Sequence, residues 1–305
     1  MQSKIKTYNT KEFQKEYLNS SPELNKLFEK SLEDFFCLRI EGLIERVYKP
    51  IAPSKEESHT LIFVTDGSYK TKIGFKEYTI SSNQIVALQA GVVFSTEQLS
   101  KNVKGYTCHF HPNILIGKYG NRSLNLEFDF LNIGNYPIIE IPNYAKSTIL
   151  NLLQRLTTEF EGEGKPNSDI VHAYIYTLLT ELKGLYGQNN LLEKSAAYYI
   201  TNQLRTLVHQ RVNENLKPSD FAKMMNISPN HLNKSVKTIT SKSASYLIDE
   251  VKLTEIKYLL YQSNLSIREI SYEMGYTDPS YFARFFKKRE GISPVDFRQM
   301  IEKSY

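Results

Sequence analysis

The side chains best placed to act on another molecule lie between Gly275 and Pro294. Asp278-Pro279 can open a helix, with Asp as N-cap and Pro at the first helical position. On that helix Phe282, Phe285 and Phe286 fall at i, i+3 and i+4 and turn inward. Pro279, Ser280, Tyr281, Arg284, Lys287 and Lys288 are left to face outward. An arginine at the start of such a helix can hold the two acceptors of guanine, and lysines further along suit phosphates. This is the chemistry of reading DNA. No residue set suggests catalysis, and none suggests a metal or a cofactor.

Those side chains need a helix in front of them and a tight turn. Ser266-Ile267-Arg268-Glu269 has the form of a capping box and predicts a helix from about Ser266 to Met274. Ile267, Ile270 and Met274 share one face, and Gly275 can end the helix in the left-handed conformation. The whole is a helix-turn-helix. At this point the residues resemble a known family. Gly275-Tyr276, Asp278, Ser280-Tyr281-Phe282, Arg284, Phe286-Lys287-Lys288, Gly291, Ser293-Pro294 and Phe297-Arg298 are similar to the second helix-turn-helix of AraC/XylS-type transcription regulators.

A first copy lies upstream. Pro218-Ser219-Asp220 starts a helix through Met225, Asn226-Ile227 makes the turn, and Ser228-Pro229 opens the next helix. Leu232, Lys237 and Ser243 recur as Phe282, Lys287 and Ser293. Asn230, Asn233 and Lys234 are the expected base readers, since an Asn amide suits adenine and a Lys suits guanine. His231 and Lys237 are expected on the backbone. Ser245–Gln262 should form a long helix that spaces the two copies. Lys252, Ile256, Ser241 and Ser271 stand where the family more often has Arg, Ala, Gly and Ala, which touches packing and turns but not the basic faces. Two such motifs should read successive major grooves about 34 Å apart.

The N-terminal half reads differently. Ser21-Pro22 begins a short helix after a polar lead-in. Alternating or apolar runs at 37–47, 60–65, 69–73, 76–80, 85–88, 92–95, 105–110 and 124–130, several bounded by turn residues, predict an all-β sandwich or barrel. Their order resembles the cupin-like jelly roll that precedes the DNA-binding part in many AraC-type regulators. The resemblance implies a small effector, and His59, Phe63, Tyr78, Phe94 and His109 are the candidates to line its pocket. His109 and His111 alternate around Phe110, but no glutamate follows at a metal-binding spacing. From Pro142 the period becomes helical. Ile149, Leu152, Leu153, Leu156 and Phe160 form one stripe, and Ile170, Tyr174, Ile175, Leu178, Leu179 and Leu182 a second. In the family such a pair joins two chains.

The fold class expected is α+β: a cupin-like regulatory domain over 1–141, a helical dimerisation hairpin over 142–187, a linker over 188–195, and an all-α DNA-binding domain over 196–305. The net charge is +5, and 14 Lys and Arg against 10 Asp and Glu from Lys217 on place most of the excess in the C-terminal third. Cys37 and Cys108 show no metal spacing and suit reduced thiols. With neither a signal-like leader nor a long apolar run, a cytoplasmic, non-membrane protein is expected. The reading is a transcription activator, a homodimer that binds promoter DNA, engages RNA polymerase and answers to a small effector. The alternatives are a cupin-type metalloenzyme with a helical appendage, and a regulator whose β-domain serves only for interaction. Metal analysis separates the first alternative, and ligand-induced thermal stabilisation the second.

Overall fold

The centre of the N-terminal half is a pair of strands in register, β4 (His59–Asp66) and β9 (Lys104–Phe110), with Thr60 opposite His109 and Leu61 opposite Cys108. Around them are β1 (Lys6–Tyr8), β2 (Phe36–Arg39), β3 (Ile51–Glu56), β5 (Ser68–Ile73), β6 (Lys76–Ser81), β7 (Gln84–Leu88), β8 (Phe94–Thr96) and β10 (Ile138–Glu140). They form two five-stranded sheets, β1-β3-β8-β5-β6 and β10-β7-β4-β9-β2. The arrangement is known from a computed structural model, which describes residues 5–29, 35–74, 76–96, 102–116, 127–132, 135–189 and 195–302. The chain divides into two units, Met1–Ile114 with Phe128–Leu191, and Leu115–Glu127 with Leu192–Tyr305.

Alternation along the strands builds the core of the first unit. In β5, Tyr69, Thr71 and Ile73 are buried while Ser68, Lys70 and Lys72 are exposed. Val64, Tyr69, Ile73, Ile80, Val86, Leu88, Phe94 and Ile138 meet in one apolar cluster of the jelly roll. Each large side chain so buried contributes about 1.5–3 kcal/mol. The chain's first helix, α1 (Thr10–Tyr17), is capped by Asn9, whose side chain accepts from the Glu12 N–H. It is followed by α2 (Pro22–Glu29) at the expected start.

Two of the expected strands are otherwise. The run 37–47 gives only the short β2, then α3 (Ile40–Ile44). Ile40 and Ile44 both pack on the sandwich core, which is a helical spacing. In 124–130, residues 124–126 lie outside the described ones, and Asp129–Leu131 is a 3-10 turn. Phe128 and Phe130 mimic strand alternation, yet their rings pack against Tyr176 and Tyr186. Strands β1 and β3 and helix α1 escaped the sequence reading because their apolar residues are few, and β10 because it is only three residues long.

The helical stripes lie on α4 (Asn143–Glu161) and α5 (Ser168–Asn189). They are buried within their own unit. Ile149, Leu153, Leu156 and Phe160 are at 1% exposure or less, as are Ile175, Leu178, Leu179 and Leu182. The Phe160 ring meets those of Phe28, Phe35 and Phe36, and Cys37 donates to the Leu153 carbonyl. The stripes that suggested pairing of two chains therefore cover the second sheet. Helix α5 runs on through Asn189, so the expected linker begins later than position 188, and 190–194 lie outside the described residues. Among the described residues no helix is long and apolar enough to cross a membrane.

In the second unit the described residues from Ser195 on form helices and no strand: α6 (Ala196–Gln210), α7 (Pro218–Met224), α8 (Pro229–Thr240), α9 (Ala244–Gln262), α10 (Ile267–Glu273), α11 (Pro279–Glu290) and α12 (Pro294–Glu302). It has two cores. Leu204, Val208, Phe221, Leu232 and Val236 join Leu247, Ile248 and Val251 from the first half of α9. Ile270, Met274, Phe282, Phe286 and Phe297 join Ile256, Leu259 and Leu260 from its second half. One continuous helix thus carries both.

Candidate nucleic-acid interface

Each pair α7–α8 and α10–α11 is a helix-turn-helix, and the local chemistry explains the turns. In α10 the Ser266 hydroxyl accepts from the Glu269 N–H at 3.2 Å, while the Glu269 carboxylate accepts from the Ser266 N–H at 2.7 Å. The helix ends at Gly275, with φ 75°. A Cβ there would collide with the Asn213 carbonyl. In the first motif Asn226 takes the same role at φ 53°. The second helices open alike: Ser228 Oγ accepts from the His231 N–H at 3.1 Å, and Asp278 Oδ1 from the Ser280 N–H at 2.8 Å. The second turn is one residue longer, since Thr277 stands between Tyr276 and the cap.

These caps aim the outward residues. On α11, Phe282 and Phe286 are fully buried, Phe285 half so. Ser280, Tyr281, Arg284, Lys287 and Lys288 are exposed and Pro279 is partly exposed, so the second set comes together on one side of one helix. On α8, Leu232, Ser235 and Val236 are buried, and Asn230, His231, Lys234 and Lys237 are exposed. Asn233 differs from the expectation. It is half-buried, and its Oδ1 accepts from the Ala244 N–H at 3.1 Å, at the first turn of α9. The oxygen that an adenine contact would use is engaged in holding α8 to α9.

Several polar contacts of this unit escaped the sequence reading. Arg268 Nε donates to the Tyr272 hydroxyl at 3.1 Å on the exposed side of α10, an i,i+4 pair that spacing alone could have shown. Lys257 pairs with Glu290 at 2.7 Å, and Arg289 with Asp249. Burial lowers the Lys257 ammonium, against the pull of Glu290. These join different helices, and no sequence pattern announces them.

The effector candidates fall on two faces of the β4 sheet. His109 lies on the inner face, where its Nδ1 meets Thr60 Oγ1 at 2.8 Å and its Nε2 meets Thr10 Oγ1 at 3.0 Å. Its ring stacks on Phe36 at 4.5 Å. Glu56 lies 3.5 Å away, close enough for an ion pair. Burial, however, pushes Glu56 up to about 8 and His109 down to about 3, so near neutral pH this is a pair of neutral groups. Phe94 belongs to the sandwich core, with Tyr78 packed on it. His59 and Phe63 alternate with Thr60 and so point to the opposite face. There His59 Nδ1 accepts from the Ala90 N–H at 3.0 Å, and burial takes its pKa down to about 3. His111 follows β9 and accepts from the Asn113 N–H at 3.1 Å. Thus the five candidates do not line one pocket. Among the described residues no three His, Cys, Asp or Glu side chains gather as a metal site.

Comparison with known proteins agrees with the geometry. Residues 221–300 match a family model described as a helix-turn-helix domain. The Msm operon regulatory protein of Streptococcus mutans is 33% identical over 129 residues, which is 42% of this chain and 46% of that one, so this chain spans less than half of that relative. The uncharacterized HTH-type transcriptional regulator YisR of Bacillus subtilis is 20% identical over 80% of this chain and 86% of its own. The lactose operon transcription activator of Staphylococcus xylosus is 20% identical over 79% and 84%. Residues 221–300 thus carry a helix-turn-helix domain, and along most of its length the chain is similar to HTH-type transcription regulators.

Proposed function

We propose that the chain binds operator DNA through both motifs at once and so controls transcription in the cytoplasm. The observation that carries this is the repetition of one device: a capped helix start, with exposed Asn230, His231 and Lys234 on α8 and exposed Ser280, Tyr281 and Arg284 on α11. The N-terminal residues of each helix enter a major groove, and the two grooves are successive turns of one duplex face, about 34 Å apart. Arg284 reads guanine, and Lys234 is the corresponding cation of the first motif. Lys237, Lys287 and Lys288 hold phosphates.

Activation through RNA polymerase is the more favoured sense of control, because the relative from Staphylococcus xylosus is named an activator. A small effector bound by the jelly roll completes the reading. On the inner face it would meet His109, Tyr78 and Phe94; a site at His59 and Phe63 would be a separate one beneath the helices. Two chains would pair through the outward side of α4 and α5, where Tyr144 is 72% exposed.

The test is selection of DNA sites from a random library by the purified full-length chain, at near-physiological salt. A motif with two sub-sites about one helical turn apart is expected. Enrichment of a single sub-site, or salt-sensitive binding with no sequence preference, would overturn the reading.

A further inference from the structure

We propose that Asp249 and Arg289, with Lys257 and Glu290, form a clamp between α9 and the end of the second recognition helix, and that this clamp sets the spacing of DNA sub-sites that the protein accepts. It deepens the two-sub-site reading and rests on it.

Arg289 and Glu290 are the last two residues of α11, just before Gly291 ends it with φ 80°. Each grips a residue of α9. Arg289 pairs with Asp249, and Glu290 Oε2 lies 2.7 Å from Lys257 Nζ. The second pair is well buried, with side-chain exposures of 10% and 16%. Asp249 and Lys257 are eight residues apart on α9. They therefore stand about 12 Å apart, a little over two turns. The polarity is inverted along the helix: acid then base on α9, base then acid on α11. Turning the end of α11 round would set Arg289 against Lys257 and Glu290 against Asp249. Like charges with little solvent between them disfavour such arrangements strongly. Two opposed pairs thus select one register where a pair of apolar patches would allow several.

The clamp also crosses between the two motifs. Asp249 lies among Leu247, Ile248 and Val251, which belong to the core of the first motif, whereas Arg289 belongs to the second. The Arg289 guanidinium lies 5.1 Å from the Tyr246 ring, and Lys242, in the turn between α8 and α9, lies 4.3 Å from that ring. Tyr246 is thereby flanked by a cation from each motif. Lys242 is itself held by Glu250 at 2.6 Å. A continuous α9 fixes the distance between the cores. The clamp fixes how far α11 can rock around α9, and hence where Arg284 falls relative to Lys234. These residues are positioning residues, because they act through the recognition helices.

The test uses the full-length chain and duplexes carrying its selected two-part site. The gap between sub-sites is native, one base pair shorter or one longer, and a further duplex has only the second sub-site. Wild-type protein should prefer the native gap by about tenfold, given the fixed geometry of paired reading helices. Asp249→Asn should reduce that preference to about threefold or less while binding the single sub-site within about twofold of wild type. Asp249→Arg combined with Arg289→Asp should restore the preference. Should Asp249→Asn lose the single sub-site, a sign of misfolding, Glu290→Gln serves in its place with the same expectation. A variant that binds the single sub-site as wild type does and keeps the wild-type gap preference, or loss of the single sub-site in both variants, would overturn the clamp alone. Wild-type protein indifferent to the gap would overturn the two-sub-site reading with it.

Discussion

Asn226 and Gly275 occupy the same place in the two turns, both left-handed, at φ 53° and 75°. They are not interchangeable. Gly275 lies under the Asn213 carbonyl, with no room for a Cβ. Gly275→Ala should therefore destabilise the helical unit by about 2–3 kcal/mol, from strain and collision together. Asn226→Gly should change stability by less than about 1 kcal/mol, because Asn already tolerates this conformation. Chemical denaturation of the two variants checks both.

Asn233 is expected to matter for folding rather than for reading. Its carbonyl oxygen holds the Ala244 N–H, one of the free donors at the start of α9. Asn233→Ala should cost about 1 kcal/mol of stability, the size of a lost helix cap. The base preference in a selected site should stay the same. A changed preference at one position, with stability intact, would return Asn233 to the DNA.

Much of the second unit could be read from the sequence, because its signals are local. Ser266 with Glu269, Asp278 with Pro279, and the triplet Phe282, Phe285 and Phe286 each depend on neighbours within a turn of helix. The hydrogen bonds of Ser266 and Asp278 then follow from the cap chemistry. What escaped depends on partners far along the chain. Asn233 looks free until α9 returns beside it, and Asp249 and Arg289 are forty residues apart. In the first unit, alternation located β4 to β7 and β9 well. It misled at Phe128 and Phe130, whose partners Tyr176 and Tyr186 belong to a distant helix. The stripes of α4 and α5 were correctly seen as apolar faces, but a stripe does not say what covers it. His59 and His109 were both expected to line one pocket, but their strand positions differ by one in parity, and parity puts them on opposite faces.

Arg284 and Lys288 should separate reading from holding. Arg284→Ala is expected to cost about 1–3 kcal/mol on the selected site and to relax preference at one base. Lys288→Ala should weaken all duplexes alike and lower the salt slope by about one unit. Anisotropy titrations on specific and random duplexes at several salt concentrations distinguish them. Equal loss on both duplexes for Arg284→Ala would sink its assignment as a base reader.

The buried Glu56–His109 pair gives the first unit a pH signature. Glu56 is raised from 4.5 to about 8, so the folded chain holds a proton that the unfolded chain has released across that window. Stability from this group falls as pH rises through it. His59 and His109 are lowered from 6.5 to about 3, so their contributions are present above 6.5 and lost as pH falls. Together these place the maximum near pH 6.5, with a loss of about 1–2 kcal/mol towards pH 8. Thermal melting of the first unit's transition should show that loss in wild type, and Glu56→Gln should abolish it. Parallel pH curves for the two would contradict the neutral pair.

The central feature is a pair of reading heads on one chain, lying in successive grooves of the duplex. The direct measurement is affinity cleavage of the selected duplex. An iron chelate is attached to Asn230→Cys in one preparation and to Ser280→Cys in another, in a chain whose own Cys37 and Cys108 are buried. Two cleavage centres are expected on one face of the DNA, about ten base pairs apart, one from each position. Coincident centres, or cleavage from one position only, would contradict this arrangement.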